Sequence, residues 1–234
     1  MKGSKMKSEI ADNLQKINAS LEGSNARLIA VSKTKPIAAL LEAYEAGQRA
    51  FGENKVQELV DKHEALPKDI EWHMIGHLQR NKVKYIAPFI HLIHGVDTEK
   101  LLIEINKQGE KNERIIPCLL QVHIAREETK FGFSPEEIHK WLDTQPLDHL
   151  PHVSIQGLMG MATHTKDEGQ IATEFSDLAH LRNELKQRYQ HERFSMTELS
   201  MGMSGDYPLA VANGSTMIRV GSTIFGVRHY PNQP

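Results

Sequence analysis

The stretch Leu28-Ile29-Ala30-Val31-Ser32-Lys33-Thr34-Lys35-Pro36 reads as a strand that ends on a polar exit. Four consecutive apolar residues suit a strand buried on both faces, as in a parallel sheet. Pro36 cannot donate to a ladder, so the strand stops before it. Lys33 then stands at the strand's C-terminal end, where parallel α/β folds build their sites. A lysine partly withdrawn from water there can have a lowered pKa and attack carbonyls, although the commonest setting for a lysine is the solvated surface.

The alternation continues on both sides. Ile10, Leu14, Ile17 and Leu21 are spaced at helical intervals, which predicts one buried stripe from Ser8 to Leu21. Ser8 is its expected N-cap and Gly23 its stop. Ile37, Leu40, Leu41 and Tyr44 form a second stripe, closed by Gly47. Arg49 to Asn54 reads as a short strand and a polar turn, with a helix beginning near Asn54. Asn54 is either the cap of that helix or an amide at the mouth of a pocket.

Further strands are predicted at 71–76, 90–95, 115–122, 155–161, 197–200 and from 217. Asp97 is expected to cap the helix carrying Leu101, Leu102 and Ile105, and Ser134-Pro135-Glu136-Glu137 fits a capping box. The polar loop 125–132 is long enough to cover a site. Glycines in 155–161 let another backbone or a flat ligand approach closely. Strand and helix alternate about eight times without a linker, which predicts a single (β/α)8 TIM barrel with an extra N-terminal helix. One domain is expected over 1–234, with residues 1–7 assigned no part in it. A doubly wound open sheet is the other fold compatible with the alternation, but no G-x-G-x-x-G follows the first strand.

The 234 residues carry 28 Lys plus Arg against 30 Asp plus Glu, a net charge of −2. That balance gives no electrostatic case for nucleic acid or an anionic membrane. No secretory signal or transmembrane run is present, and the single Cys118 allows no internal disulfide, so a cytoplasmic protein is expected. His73 and His77 are four apart, but Gly76 and the strand-like context argue against a helical metal pair. No carboxylate or thiol is assigned with them, no metal is expected, and the 13 histidines are placed mainly on the surface.

In a barrel, the C-terminal rim would collect Lys33, Asn54, Met159, Ser200 and Arg219. Strands seven and eight adjoin, so Ser200 and the turn Gly221-Ser222-Thr223 would lie together, where barrels commonly hold a phosphate. Taken singly, these are ordinary turn residues. Together they fit pyridoxal 5′-phosphate, which needs a lysine, a phosphate cup and a partner for its ring nitrogen. Arg219 only donates, so it would face an unprotonated ring nitrogen, and such a ring is a poor electron sink.

Ala-Val-Ser-Lys-Thr-Lys-Pro (30–36), Phe-Gly-Glu-Asn (51–54) and Trp-His-Met-Ile-Gly-His-Leu-Gln-Arg-Asn-Lys (72–82) resemble the pyridoxal phosphate homeostasis protein family. So do Gly-Leu-Met (157–159), Leu-Ser-Met-Gly-Met-Ser (199–204) and Met-Ile-Arg-Val-Gly-Ser-Thr-Ile-Phe-Gly (217–226). The resemblance spans about residues 8 to 230 and departs at His77, Gly205 and Ser222-Thr223. It implies the barrel of the alanine racemase N-terminal domain, with Lys33 rather than Lys35 as the Schiff-base lysine. It also implies that Ser200 and 221–223 hold phosphate and Arg219 the ring nitrogen.

The function implied is buffering or delivery of the cofactor, in vitamin B6 and amino-acid homeostasis, without efficient catalysis. Apo-forms of pyridoxal-phosphate enzymes are the partners implied. The competing readings are an amino-acid racemase or aldolase using the same cofactor, and a barrel enzyme acting on a phosphorylated metabolite. Racemisation needs an acid or base on each face of the substrate carbon. In two-domain racemases of this type the second base is a tyrosine from a further C-terminal domain of a partner chain, and with Pro234 just beyond strand eight that domain is expected to be absent.

Overall fold

The computed structural model describes residues 8–126 and 131–226. Residues 127–130 of the expected covering loop, and the two termini, lie outside the described residues. Eight strands follow one another around a closed parallel barrel. They are β1 (Arg27–Val31), β2 (Ala50–Glu53), β3 (Glu71–Met74), β4 (Leu92–Val96), β5 (Ile116–Gln121), β6 (Val153–Met159), β7 (Phe194–Met203) and β8 (Met217–Val220). Pairing from Arg27 with Met217 to Ala30 with Val220 joins β8 to β1 and leaves no edge.

The apolar runs are explained by burial on two sides. Successive strand side chains point to opposite faces. Ile29, Ala50, Leu92, Leu119, Met159 and Met217 fill the barrel interior. Leu28, Ala30, Phe51 and Trp72 belong instead to the larger core between strands and helices. The helices are α1 (Glu9–Ser20), α2 (Ile37–Glu45), α3 (Val56–Ala65), α4 (Val83–Ile86), α5 (Glu99–Lys111), α6 (Pro135–Leu142), α7 (Glu168–Arg188), α8 (Tyr207–Ala212) and α9 (Ser222–Phe225). The extra helix α1 packs on α2 and α9, and Asn13 Nδ2 donates to the Ile224 carbonyl at 3.2 Å.

Several local expectations hold. Ser8 Oγ accepts from Ala11 N–H at 3.1 Å, and Ser134 with Glu137 completes the capping box of α6. The close approach expected at the glycine-rich strand is between backbones. A Cβ on Gly157 would lie 1.8 Å from the Glu198 carbonyl oxygen.

Other expectations need correction. Asn54 does not cap α3; β2 runs on to Glu53, and Lys55 takes the cap position without a side-chain bond. Thr98, not Asp97, caps α5, its hydroxyl accepting from Leu101 N–H at 3.3 Å. The Asp97 carboxylate instead meets His77 Nδ1 at 3.1 Å. Strand β7 continues three residues past Ser200, through a register shift and Gly202 at φ +98°.

The exits of β1 and β2 are held by a charge buried beneath them. Lys62 Nζ donates to Glu53 Oε1 at 2.6 Å, Glu58 Oε1 at 2.7 Å and the Ser32 carbonyl at 2.7 Å. Ser32 Oγ also donates to Glu53 Oε1, at 2.5 Å. Lys62 and Glu53 are both buried. Burial pushes the Glu53 carboxyl up, and the ammonium and hydroxyl beside it pull it part of the way back.

Removing one partner of a buried pair leaves an uncompensated charge and costs about 3–5 kcal/mol. Lys62→Met is therefore expected to lose about that much stability at neutral pH. Without the ammonium, the folded-state pKa of Glu53 rises further above its unfolded value, so the folded variant binds a proton that the unfolded chain lacks. Its deficit against the parent should shrink as pH falls through that raised pKa. Denaturant titrations at neutral and mildly acidic pH read this directly, and an equal deficit at both would rule out Glu53 as the cause.

Candidate functional site

A cavity of about 290 Å³ opens at the C-terminal ends of β1, β2 and β8. Its wall carries five of the residues expected from sequence: Lys33, Asn54, Arg219, Gly221 and Ser222.

Lys33 sits half-buried in a tight turn directly after β1. Lys35 N–H closes that turn on the Ser32 carbonyl at 3.0 Å. Thr34 between them has φ +63°, an uncommon conformation for a β-branched residue. It is held there by Glu58, whose Oε1 accepts from Thr34 N–H at 2.5 Å as well as from Lys62. The buried charge network therefore also fixes the strained turn that presents Lys33. Lys35 reaches the same cavity, but its ammonium donates to the carbonyls of Phe225 and Gly226, each at 3.0 Å. Lys35 clasps the end of α9.

Arg219 is buried in the barrel, with burial lowering its pKa to about 10, so it remains a cation at neutral pH. NH1 donates to Ser200 Oγ at 2.5 Å and NH2 to the Gly160 carbonyl at 3.2 Å. Ser200 Oγ meets His94 Nδ1 at 2.8 Å, and His94 Nε2 meets His73 Nδ1 at 2.8 Å. Burial holds both imidazoles well below the ordinary histidine pKa, and the positive charge of Arg219 adds to this at His94. They are neutral links, each with one donor and one acceptor nitrogen.

Three expected site residues lie off the wall. Ser200 is fully buried and bonded within the barrel, because β7 runs on beyond it. Ser204 takes the rim position, its Oγ accepting from Gly221 N–H at 3.4 Å. Met159 packs in the barrel interior, and Met161, two residues on, lines the cavity instead. Thr223 is exposed, outside the wall.

The histidines also differ from expectation. His73 and His94 are buried, not superficial. His77 is far from pairing with His73, its ring lying 4.5 Å from that of Phe131. A larger cleft of about 720 Å³ between α5 and α6 combines Trp141 and Phe131 with Glu99, Glu137 and two lysines, but none of the expected site residues reaches it.

The sequence matches the family described as alanine racemase, N-terminal domain, over residues 7–229. It is 38% identical to the pyridoxal phosphate homeostasis protein of Vibrio cholerae, over 94% of this chain and 97% of that one. The human protein of the same name is also 38% identical, over 89% of this chain and 78% of that one. Among solved structures, PipY of Synechococcus elongatus without PLP superposes with TM-score 0.86, at 39% identity over 93% of this chain and all of that one. PipY with PLP bound gives 0.83 at the same identity. Alanine racemase from E. faecalis shares the fold at TM-score 0.69 and 17% identity, this chain covering 58% of its length. The chain belongs to the pyridoxal phosphate homeostasis protein family, built on the alanine racemase N-terminal barrel.

Proposed function

We propose that the chain binds pyridoxal 5′-phosphate in the cavity at the ends of β1 and β8, and that it stores and hands over this cofactor rather than turning over amino acids. One observation carries the reading: a strand-end lysine, a buried guanidinium and a Gly-Ser turn share one cavity. When bound, the cofactor supplies an aldehyde that exchanges amines and a ring that draws electrons from a substrate carbon.

The residues fit that group. Lys33, at the exit of β1, is the amine offered to the aldehyde, while Lys35 Nζ donates to the carbonyls of Phe225 and Gly226 at the end of α9. Ser204, the Gly221 backbone and Ser222 form the phosphate cup. Gly221 is required there because a Cβ would lie 2.9 Å from the Val31 carbonyl oxygen. Asn54 offers an amide at the side of the cavity.

The same wall supports a carrier. Arg219 stays charged and can only donate, so it favours an unprotonated ring nitrogen and a weak electron sink. Among the described residues lining the cavity there is no His, Tyr, Cys, Asp or Glu to move a proton on the face opposite Lys33. The biological reading is delivery in the cytoplasm to apo-forms of enzymes that use the cofactor. A racemase or aldolase is the alternative.

Three outcomes test this. Lys33→Ala should lose the near-visible absorbance of loaded protein and its fixation by borohydride, while Lys35→Ala keeps both; the reverse pattern would move the attachment to Lys35. Charge-assisted hydrogen bonds to phosphate are worth roughly 1.5–3 kcal/mol each, so with two of them pyridoxal should bind at least about 100-fold more weakly than its phosphate. Equal binding of the two in equilibrium titrations would remove the phosphate cup. Finally, α-hydrogen exchange of amino acids in deuterium oxide should stay well below about 1 s⁻¹ with loaded protein. Lys33-dependent exchange at or above that rate would establish the racemase alternative.

A further inference from the structure

We infer that Glu71, His73 and His91 form a binding site for a divalent transition-metal ion, Zn²⁺ by ligand type, at the end of the barrel opposite the cavity. One ligand atom from each residue lies within 4.8 Å of the other two. Glu71 and His73 are two apart on β3 and so share a face of the sheet. His91 immediately precedes β4, whose Leu92 pairs with His73.

His73 supplies a second, separate observation. Its ring is fully buried, Nδ1 is bonded to His94, and Nε2 has no hydrogen-bond partner. Buried polar atoms are seldom left unpaired. A cation on Nε2 would resolve that one. Ligating histidines almost always donate their other ring N–H to a neighbour, and His94 Nε2 is placed to accept from His73 Nδ1.

Two imidazoles and one carboxylate suit Zn²⁺ with an open fourth position. Cations that prefer oxygen, such as Mg²⁺ and Ca²⁺, fit this donor set poorly. Zn–N bonds of about 2.0–2.1 Å bring tetrahedral ligand atoms to roughly 3.3 Å apart. The two side chains that must move, Glu71 and His91, are 41% and 43% exposed and already face each other at 3.7 Å. Arg27 is the cation felt at His73, and Glu198 partly offsets it at 3.7 Å.

This face of a barrel serves stability rather than chemistry, so the ion clips β3 to β4. It also fixes the Nδ1–H tautomer of His73, and with it the polarity of the line running through His94 and Ser200 to Arg219.

The test uses the full chain without an affinity tag, stripped with a chelator. Calorimetric titration with Zn²⁺ should show one ion per chain. Free Zn²⁺ at 100 times the Kd should raise Tm by about 5–10 °C. Co²⁺ should give the visible bands of a tetrahedral nitrogen and oxygen site. Glu71→Gln and His91→Ala alter side chains that are 41% and 43% exposed. Each should weaken binding at least about tenfold, with circular dichroism unchanged. Absence of stoichiometric binding, or binding equal to the parent in both variants, overturns the site.

Discussion

A guanidinium with almost no access to water must have its donors met by the protein, and Arg219 imposes that demand on the barrel interior. Its position lies on both seams of β8, paired with Ile29 of β1 and with Met203 of β7. One donor takes Ser200 and another the Gly160 carbonyl. Satisfying Ser200 brings in His94, and satisfying His94 brings in His73. A buried polar group left half-satisfied would cost more than an apolar one. The polar line therefore extends across an interior otherwise filled by Ile29, Leu92, Leu119, Met159 and Met217. It anchors the cation in one place at the floor of the cavity.

Lys62 is the second buried cation and answers a different requirement. It joins the exits of β1 and β2 to α3 through Ser32, Glu53 and Glu58. Glu58 carries the constraint on to Thr34, whose left-handed backbone turns the chain sharply at Lys33. Strain of that kind costs of order 1–3 kcal/mol and persists only where the surroundings over-determine it. Lys33 is thus presented by a strained turn, and the strain is held by a salt bridge whose residues do not line the cavity. Functional groups placed to this accuracy need supporting contacts as much as their own positions.

The barrel was legible because its physics is local and repeated. Apolar runs that stop at polar exits mark parallel strands, and helical stripes between them mark the outer ring. The site was legible only to the precision of the strand ends. Ser200 and Met159 were placed one layer too high because β7 runs on through Gly202 and the cavity begins two residues beyond Met159. Inward-facing residues share a parity, so parity alone cannot tell the floor from the rim. The Lys62 network lay beyond a pattern reading, because its partners come from three different elements. The buried histidines were hidden for the same reason. Glu71-x-His73 on one strand was a usable signal for a shared face, but His91 becomes its neighbour only through the pairing of β3 with β4.

The barrel itself is shared with alanine racemases at 17% identity, so the fold cannot decide between carrying a cofactor and using it. The side chains around the cavity must. A catalyst of proton transfer needs groups that change protonation state near neutral pH. The proposed carrier rests on a lining of another kind. Arg219 stays in its charged form, and apart from Lys33 and Lys35 the other polar groups among the described lining residues are amide, hydroxyl and backbone. His94 and, beyond it, His73 are withdrawn into the barrel and kept neutral by burial. In the proposed function such a wall grips a phosphate and faces a ring nitrogen, and none of the described lining residues other than the lysines is a proton acceptor for a substrate carbon. In the proposed carrier, Lys33 is the amine that forms and releases a bond to the aldehyde, which is what loading and unloading require.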